Sequence, residues 1–328
     1  MTEILSSLIE KCNLGTIVSD PVPVSGGFMH RMFKVQTSTG THAVKCLNPE
    51  IMKRPGVLDN YAEAERLERI LEGDGLPVVA ALTFDDRKMI EEDGRYFYVF
   101  NWIEGKITDF NSITADQCRK AGEILGRIHR IDPKIVEPED SDVTEIDFRS
   151  YLSKAKESGS SIADILESNI GLLDTAVTEL NDARRCLPSI RSIINDDMDP
   201  KNIMWNEGHP HVIDLECLEY GNPVSSALNL ALQWSGTVTE NFIPENLKAF
   251  FDGYLGAYDN GFKDYDKIFG IAYAWVEWLE YNIKRALGEE DESEIKLGET
   301  ETINTIGRIK YLKDNHERIN EVLRNIII

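Results

Sequence analysis

Three polar residues in the second half of the chain have the types and the spacing that phosphoryl transfer requires. Asp197 stands five residues before Asn202, and Asp214 ends the apolar run that comes next. In kinase-type chemistry a first carboxylate orients and deprotonates the acceptor hydroxyl, and a later amide and carboxylate hold the metal ions on the nucleotide phosphates. Mg²⁺ prefers such oxygen ligands. We therefore predict that Asp197 is the base and that Asn202 and Asp214 are the metal ligands.

The same spacing also arises by chance in acidic chains, where Asp and Asn residues form solvated turns. The neighbouring residues favour the functional interpretation. Pro200 restricts the loop, and residues 203–205 and 211–213 read as two short strands separated by a break at Gly208 and Pro210. Such a hairpin would present the polar residues that flank it at one shared end.

The amino-terminal part of the chain carries a lysine inside an apolar strand. Residues 32–37 and 42–45 read as neighbouring strands, and Lys45 ends the second. Burying an unpaired ammonium is expensive, so this lysine needs anionic partners, which in kinases are nucleotide phosphates and a glutamate on the following helix. Alternatively, Lys45 is an edge-strand residue whose ammonium reaches solvent. The presence of Asp197 downstream favours the phosphate role.

The segment after this strand predicts a helix over residues 60–72. Its apolar stripe places Glu63 at the border and assigns Glu65 and Glu68 to the solvated face. The stripe consists of Tyr61, Ala64, Leu67 and Leu71.

A small glycine-containing segment, Ser25-Gly26-Gly27, lies between the first predicted strands. Glycine allows the backbone to approach a phosphate closely, which fits a loop that covers a nucleotide. The segment lacks the Gly-x-Gly-x-x-Gly spacing, and by itself it reads as a tight hairpin.

The segment around Asp197 resembles the signature of the aminoglycoside phosphotransferase and choline kinase family, the small-molecule branch of the kinase fold. That family's loop usually reads His-Gly-Asp-x-x-Pro-x-Asn and is followed by Ile-Asp. Asp197, Asn202 and Asp214 match, whereas Asn195 replaces the usual His. Glu216 matches an acid often found two residues after the second Asp.

The resemblance implies an α+β, bilobal protein-kinase-like fold with ATP or GTP and Mg²⁺ as cofactors. Residues 1–102 would form a small antiparallel-sheet lobe that binds nucleotide, and residues 103–328 a larger, mostly helical lobe for catalysis and acceptor binding. Glu63, within Glu-Ala-x-Arg-Leu, would pair with Lys45. The remaining nucleotide contacts would come from Ser25, Gly26 and Gly27, and from the backbone of Asn101 and Ile103.

The acceptor site is harder to predict, because the family motifs specify phosphoryl transfer only. Helices are predicted over residues 225–235, 244–260, 264–288 and 299–325. Aromatic and acidic residues on the third could line a cleft for a cation. The favoured interpretation is a helix packed on the lobe core. The candidate acceptor residues are Glu216, Glu219, Trp275, Glu277, Trp278 and Glu280.

The bulk composition restricts the partners. The 328-residue chain carries a net charge of −22, which argues against nucleic acid or an anionic membrane surface and fits small cations. Its five cysteines are scattered and odd in number, which indicates reduced thiols in the cytoplasm. No stretch is apolar enough to be a signal core or a membrane span. We expect a monomer or homodimer.

These observations favour a Mg²⁺-dependent phosphotransferase that moves the γ-phosphate to a hydroxyl of a small, cationic, aminoglycoside-like molecule. A choline- or ethanolamine-type kinase is the alternative acceptor class. A catalytically degenerate nucleotide-binding regulatory module also remains open, and Asn195 slightly supports it. A protein kinase ranks last, because the chain lacks an Ala-Pro-Glu segment.

Overall fold

The computed structural model describes residues 1–24, 30–136, 143–288 and 292–326, which form two compact units. The first unit contains Met1–Ile107 and Asn202–Glu219, and the second contains Thr108–Lys201 and Tyr220–Ile328. This division differs from the predicted boundary after residue 102. The chain continues five residues further before the second unit begins, and the predicted hairpin after Asn202 belongs with the first unit.

The first unit is built on a five-stranded sheet whose paired strands are all antiparallel, in the order β1-β2-β3-β5-β4. Residues alternate between its faces, as expected for strands with a period of two. Val35, Val44 and Phe97 on one face pack against Leu5 and Leu8 of the first helix. The strands are β1 Val22–Val24, β2 Arg31–Thr37, β3 Gly40–Cys46, β4 Ile90–Glu92 and β5 Arg95–Asn101, and the helices are α1 Thr2–Lys11, α2 Pro49–Met52 and α3 Val57–Gly73.

A second sheet in this unit contains β6 (Lys106–Ile107), β9 (Ile203–Asn206) and β10 (His209–Val212). The turn between β9 and β10 consists of Glu207 and Gly208, both with positive φ, as tight hairpins require. Val212 donates its N–H to the Pro77 carbonyl and accepts from the Val79 N–H, both at 2.8 Å. The predicted pair of short strands is therefore present, and these bonds explain why the hairpin belongs to the first unit.

The second unit is mostly helical. Its small sheet has the order β11-β8-β7, and the chain passes from the first unit to the second within β11. The predicted helix over residues 264–288 is a 3₁₀ segment, Tyr265–Ala274, followed by an α-helix. The strands are β7 Lys134–Ile135, β8 Ile190–Asn195 and β11 Leu218–Gly221, and the helices are α4 Ala115–His129, α5 Phe148–Ser158, α6 Ala163–Arg185, α7 Pro223–Trp234, α8 Pro244–Ala257, α9 Trp275–Ala286, α10 Glu292–Asp314 and α11 His316–Arg324. Among the helices that the structure describes, none has the length and hydrophobicity needed to cross a bilayer.

Helices α4 and α8 pack closely because glycines face the contact. A Cβ added at Gly122 would collide with the Phe250 carbonyl, and one at Gly253 would collide with the Arg119 carbonyl. This contact buries His129 completely, and its Nδ1 lies 3.0 Å from the Tyr254 hydroxyl. His129 is thus a core residue.

Burial of His129 predicts a pH-dependent stability. Desolvation lowers the pKa of His129 from 6.5 to about 3. Below pH 6.5 the imidazole is therefore protonated in the unfolded chain but stays neutral in the folded protein. Stability must therefore fall as the pH falls from 6.5 towards 3. Between pH 7.5 and pH 5.0 we expect this histidine to remove about 2 kcal/mol of unfolding free energy. Urea unfolding of wild type and His129→Leu at both pH values measures it, and equal pH slopes would contradict the assignment.

A buried ion pair is expected to contribute strongly to the stability of the first unit. Lys88 is fully buried, and its ammonium lies 3.2 Å from Glu68 and 3.3 Å from Glu72 on α3. Lys88→Met strands the buried Glu68 carboxylate, so we expect a loss of about 3 kcal/mol in denaturant unfolding. The double variant Lys88→Met/Glu68→Gln keeps the acceptor for the Ala81 N–H and should recover most of the loss. A single variant as stable as wild type would show that the pair contributes nothing.

Candidate active site

Lys45 lies in the first unit against two carboxylates that come from far along the chain. Its buried Nζ is 2.9 Å from Asp214 Oδ1 and 2.7 Å from Glu216 Oε1. Burial alone would lower the pKa of Lys45, but the charges of Glu216 and Asp214 outweigh it and raise the pKa above its usual value. The structure therefore holds a charged ammonium in place.

Glu216 also contacts His30, for which the sequence analysis predicted no role. His30 Nδ1 accepts the Asn48 N–H at 3.0 Å, so a neutral His30 carries its proton on Nε2, which lies 3.3 Å from Glu216 Oε2. Burial would raise the pKa of Glu216, but the hydrogen bond from His30 and the charge of Lys45 lower it below its usual value. The one feature of the sequence that could have indicated this role is that His30 follows Gly26 and Gly27 closely. Ser25, Gly26 and Gly27 themselves lie outside the described residues.

The structure corrects the prediction that Glu63 pairs with Lys45. Glu63 makes a two-point ion pair with Arg66, at 2.6 Å and 2.8 Å, on the outer surface of α3, and its side chain is 45% exposed. Lys45 lies against Asp214 and Glu216 instead. The border position of Glu63 is thus occupied by a local helix pair.

Glu65 and Glu68 were assigned to the solvated face, and this is also wrong. Glu65 accepts the Tyr98 hydroxyl and the Met89 N–H, both at 3.0 Å, and Glu68 is buried. Both line a small cavity beside Lys45. The lining of this cavity therefore combines four carboxylates and the Lys45 ammonium with apolar and aromatic side chains.

Asn202 and Asp214 lie at the same end of the β9–β10 hairpin. Val212 pairs with Ile203, and the Ile213 N–H donates to the Asn202 carbonyl at 2.9 Å. Asp214 then adopts φ 60°, a left-handed conformation that non-glycine residues rarely take and that is found at functional sites. The hairpin therefore positions an amide and a carboxylate beside each other.

This donor set fits Mg²⁺. Amide and carboxylate oxygens are hard ligands, and Mg²⁺ is usually held by one or two protein groups while phosphates and water complete its shell. Within the described ranges, no group of three or more His, Cys, Asp or Glu side chains could form an all-protein metal cage.

Asp197 belongs to the second unit, on a loop that the core braces. The buried Asn195 ends β8, and its Oδ1 accepts the Asp197 N–H at 3.3 Å. The Met198 carbonyl accepts Trp234 Nε1–H at 2.9 Å. The Asp197 side chain remains 37% exposed. Asn195, in the place of the family's His, therefore still supports the backbone of the predicted base, and a substrate can reach the carboxylate.

The same loop carries Lys201, which the sequence did not single out. Its Nζ lies 3.0 Å from Asp199 Oδ2 and 3.5 Å from Asp197 Oδ1. Burial would lower the pKa of Lys201, but the charges of Asp197 and Asp199 raise it above its usual value. The predicted base therefore has a cationic neighbour four residues further along the chain.

The two residues whose backbone was predicted to contact the nucleotide, Asn101 and Ile103, lie at and just after the end of β5. Asn101 is the last residue of β5 and pairs with His42, while the Trp102 N–H donates to the Thr41 carbonyl at 3.1 Å. Trp102 packs under the Lys34 ammonium, 4.1 Å from its ring centroid. Asn101 and Ile103 thus flank Trp102, whose backbone N–H is occupied by the hydrogen bond to Thr41. The contact of Asn101 and Ile103 with a nucleotide stays a prediction.

The candidate acceptor carboxylates of the second unit already have partners. Glu277 pairs with Arg184 at 2.9 Å, and Glu280 pairs with Lys284 at 2.9 Å and accepts the Tyr151 hydroxyl at 2.8 Å. These partners come from the chain's own helices, so they reduce the negative charge that a cationic acceptor would meet.

The other acceptor candidates are divided between the units. In the second unit, Trp278 stacks on Tyr281 with ring centroids 5.4 Å apart, and the Arg308 guanidinium lies 4.9 Å from the Trp275 ring. In the first unit, Glu219 is exposed and Glu216 belongs to the Lys45 cluster. The six residues therefore do not form one acceptor cluster within either unit.

Comparison with solved structures identifies the fold. Spectinomycin phosphotransferase APH(9)-Ia, in complex with ADP and spectinomycin, is similar with a TM-score of 0.66 and 11% identity, over 94% of this chain and 98% of that one. An amicoumacin kinase in complex with AMP-PNP and Ca²⁺ has a TM-score of 0.58 and 11% identity over 92% of both chains. Choline kinase from Cryptosporidium parvum Iowa II has a TM-score of 0.56 and 12% identity over 99% of both chains. The predicted α+β protein-kinase-like fold is confirmed.

Sequence comparison identifies the family. A comparison with curated proteins gave no match. The family model described as "APH: Phosphotransferase enzyme family" matches residues 20–261. Since this match covers well over half of the chain, the chain belongs to the phosphotransferase enzyme family and is an enzyme of the small-molecule kinase type, which confirms the resemblance carried by Asp197, Asn202 and Asp214.

Proposed function

We propose that this enzyme transfers the γ-phosphoryl group of ATP or GTP to a hydroxyl of a small molecule, with Mg²⁺ as the metal. Asp197 is the base, and Asn202 and Asp214 hold the metal. The observation that supports this most is the hairpin end that brings Asn202 and Asp214 side by side while Asp214 contacts the buried Lys45. These are the groups that a metal–triphosphate requires.

The proposed step forms one bond and breaks one. The acceptor oxygen attacks the γ-phosphorus, the bond from this phosphorus to the β–γ bridging oxygen breaks, and the hydroxyl proton passes to the Asp197 carboxylate. The Lys45 ammonium binds the α- and β-phosphates. To do so, it gives up one of its two carboxylate contacts. Asn202 and Asp214 would hold the metal, which would supply positive charge to neutralise the phosphates.

The cofactors and acceptor follow from the same reasoning. The similar structures that contain ADP, or AMP-PNP with Ca²⁺, support a nucleotide with a divalent metal. The net charge of −22 supports a cationic acceptor of the aminoglycoside type, or a choline- or ethanolamine-type amino alcohol. The internal partners of Glu277 and Glu280 weigh against a site built on those two carboxylates. Free cysteines support a cytoplasmic setting, and we keep a monomer or homodimer as the expected state.

The test is release of ADP or GDP from the Mg²⁺-nucleotide in the presence of aminoglycosides, spectinomycin, choline, ethanolamine and related amino alcohols. We expect one class to stimulate release well above the basal hydrolysis. Stimulation by choline or ethanolamine alone would replace the aminoglycoside-type assignment. Nucleotide binding with no stimulation by any acceptor would favour the regulatory module, whose supporting observation is Asn195.

A further inference from the structure

The loop that carries Asp197 holds a lysine side chain folded back towards it. Asp199 Oδ1 accepts the backbone N–H of Lys201 at 2.9 Å, and Asp199 Oδ2 lies 3.0 Å from the Lys201 ammonium. The Asp199 side chain is buried. Its carboxylate contacts both the backbone N–H and the side-chain ammonium of Lys201. The ammonium then lies 3.5 Å from Asp197 Oδ1.

This arrangement is not a simple surface ion pair. Lys201 is only 40% exposed, and a loop that needed only a turn would require the backbone contact to Asp199 but not the ammonium. The side chain therefore needs another explanation, and its proximity to the predicted base supplies one.

We propose that Lys201 is a second catalytic residue, whose ammonium donates a hydrogen bond to the phosphoryl group during transfer. This inference rests on the proposed role of Asp197 as the base. A hydroxyl bound by Asp197 lies about 2.6–3.2 Å from the carboxylate. The phosphorus in a near-attack geometry lies about 3–3.5 Å beyond that hydroxyl oxygen. An ammonium 3.5 Å from the same carboxylate, on a flexible stem, can reach an oxygen of this phosphoryl group.

The chemistry favours a cation at this place. In the loose transition state of phosphoryl transfer, negative charge is spread over the three equatorial oxygens, and catalysis depends on positioning and electrostatic stabilisation. The acceptor-to-phosphorus bond forms, the bridging P–O bond breaks, and the proton goes to Asp197. Lys201 keeps its own protons throughout and only neutralises charge.

The test separates the ammonium from the loop that carries it. Lys201→Met removes the charge but leaves the backbone N–H that Asp199 accepts, and Lys201→Arg restores a cation. Lys267→Met is the matched control, because Lys267 also pairs with an aspartate, Asp264, at 2.8 Å and is exposed. For each variant, kcat, nucleotide KM, nucleotide Kd by calorimetry and Tm are measured on the full chain, together with Asp197→Asn.

We expect Lys201→Met to lower kcat by about 10²-fold, the effect typical of one lost transition-state donor, and to change nucleotide KM and Kd by less than about threefold. Lys201→Arg should regain at least about tenfold of the loss. The Tm of each should stay near that of wild type. A wild-type kcat for Lys201→Met overturns the inference, as does a loss of kcat that accompanies a lower Tm and is not rescued by arginine. If Asp197→Asn lowers kcat by about 10³-fold but Lys201→Met keeps the wild-type kcat, the inference about Lys201 fails while the base assignment stands. If Asp197→Asn keeps full turnover, the proposed base is wrong and the inference falls with it.

Discussion

Asp197→Asn should lower kcat by about 10³-fold while Mg²⁺-nucleotide affinity stays within about threefold of wild type. The amide keeps the size of the side chain, but it cannot accept the proton of the acceptor hydroxyl. Two hydrogen bonds brace the loop: the Asp197 N–H donates to Asn195 Oδ1, and Trp234 Nε1–H donates to the Met198 carbonyl. Both use backbone groups of the loop, so they survive the change. Steady-state kinetics with a saturating acceptor and calorimetry with a nucleotide analogue measure the two quantities.

The adjacent acid provides the control for this variant. Asp196 is exposed, and Asp196→Asn removes the same charge one residue away. We expect it to keep kcat within about threefold of wild type, since a surface charge change is usually mild. Equal kinetic effects at positions 196 and 197 would mean that loop charge matters and that Asp197 is not the base.

Asp214→Asn should weaken the binding of Mg²⁺-nucleotide on the order of 100-fold. The carboxylate charge that attracts the metal is lost, whereas the side-chain shape and the hairpin bond from Ile213 to Asn202 are kept. Because the effect runs through the metal, the difference between wild type and variant should disappear when the nucleotide is titrated in a chelator without Mg²⁺.

This chelator control makes the second experiment specific. If Asp214 acted mainly by supporting Lys45, which keeps Glu216 as a carboxylate partner, its loss would change nucleotide affinity both with and without metal. An affinity difference that persists without Mg²⁺ would assign Asp214 to the support of Lys45. Unchanged affinity in both conditions would remove it from the nucleotide site.

Local patterns account for the parts of the site that the sequence predicted. The apolar runs on either side of residues 208–210 predict a hairpin, and the structure contains it as β9 and β10, with the turn at Glu207 and Gly208 and with His209 and Pro210 already in β10. The alternating strand that ends near Lys45 is β3. These segments are determined by residues close in the chain, where hydrophobic period and turn chemistry agree.

Partners that lie far apart in the chain could not be predicted in the same way. Lys45 contacts Asp214, which lies 169 residues further along the chain. The local sequence pattern could not show that Asp214, rather than Glu63 on the helix, is its partner. The apolar stripe of α3 could have placed Glu65 and Glu68 inside, because they follow Tyr61 and Ala64 by one helical turn. Their charge favoured a solvent-exposed position, because the groups that pair with them when buried come from other segments of the chain and are not visible in the local pattern.

Transfer of a radiolabelled γ-phosphate from Mg²⁺-ATP or Mg²⁺-GTP to an acceptor tests the central claim most directly. Wild-type enzyme should place the label on one acceptor class, in an amount equal to the nucleoside diphosphate formed above basal hydrolysis. In the same time, Asp197→Asn should label the acceptor on the order of 10³-fold less. Label that appears only as inorganic phosphate with every acceptor, or equal labelling by wild type and Asp197→Asn, would contradict the account.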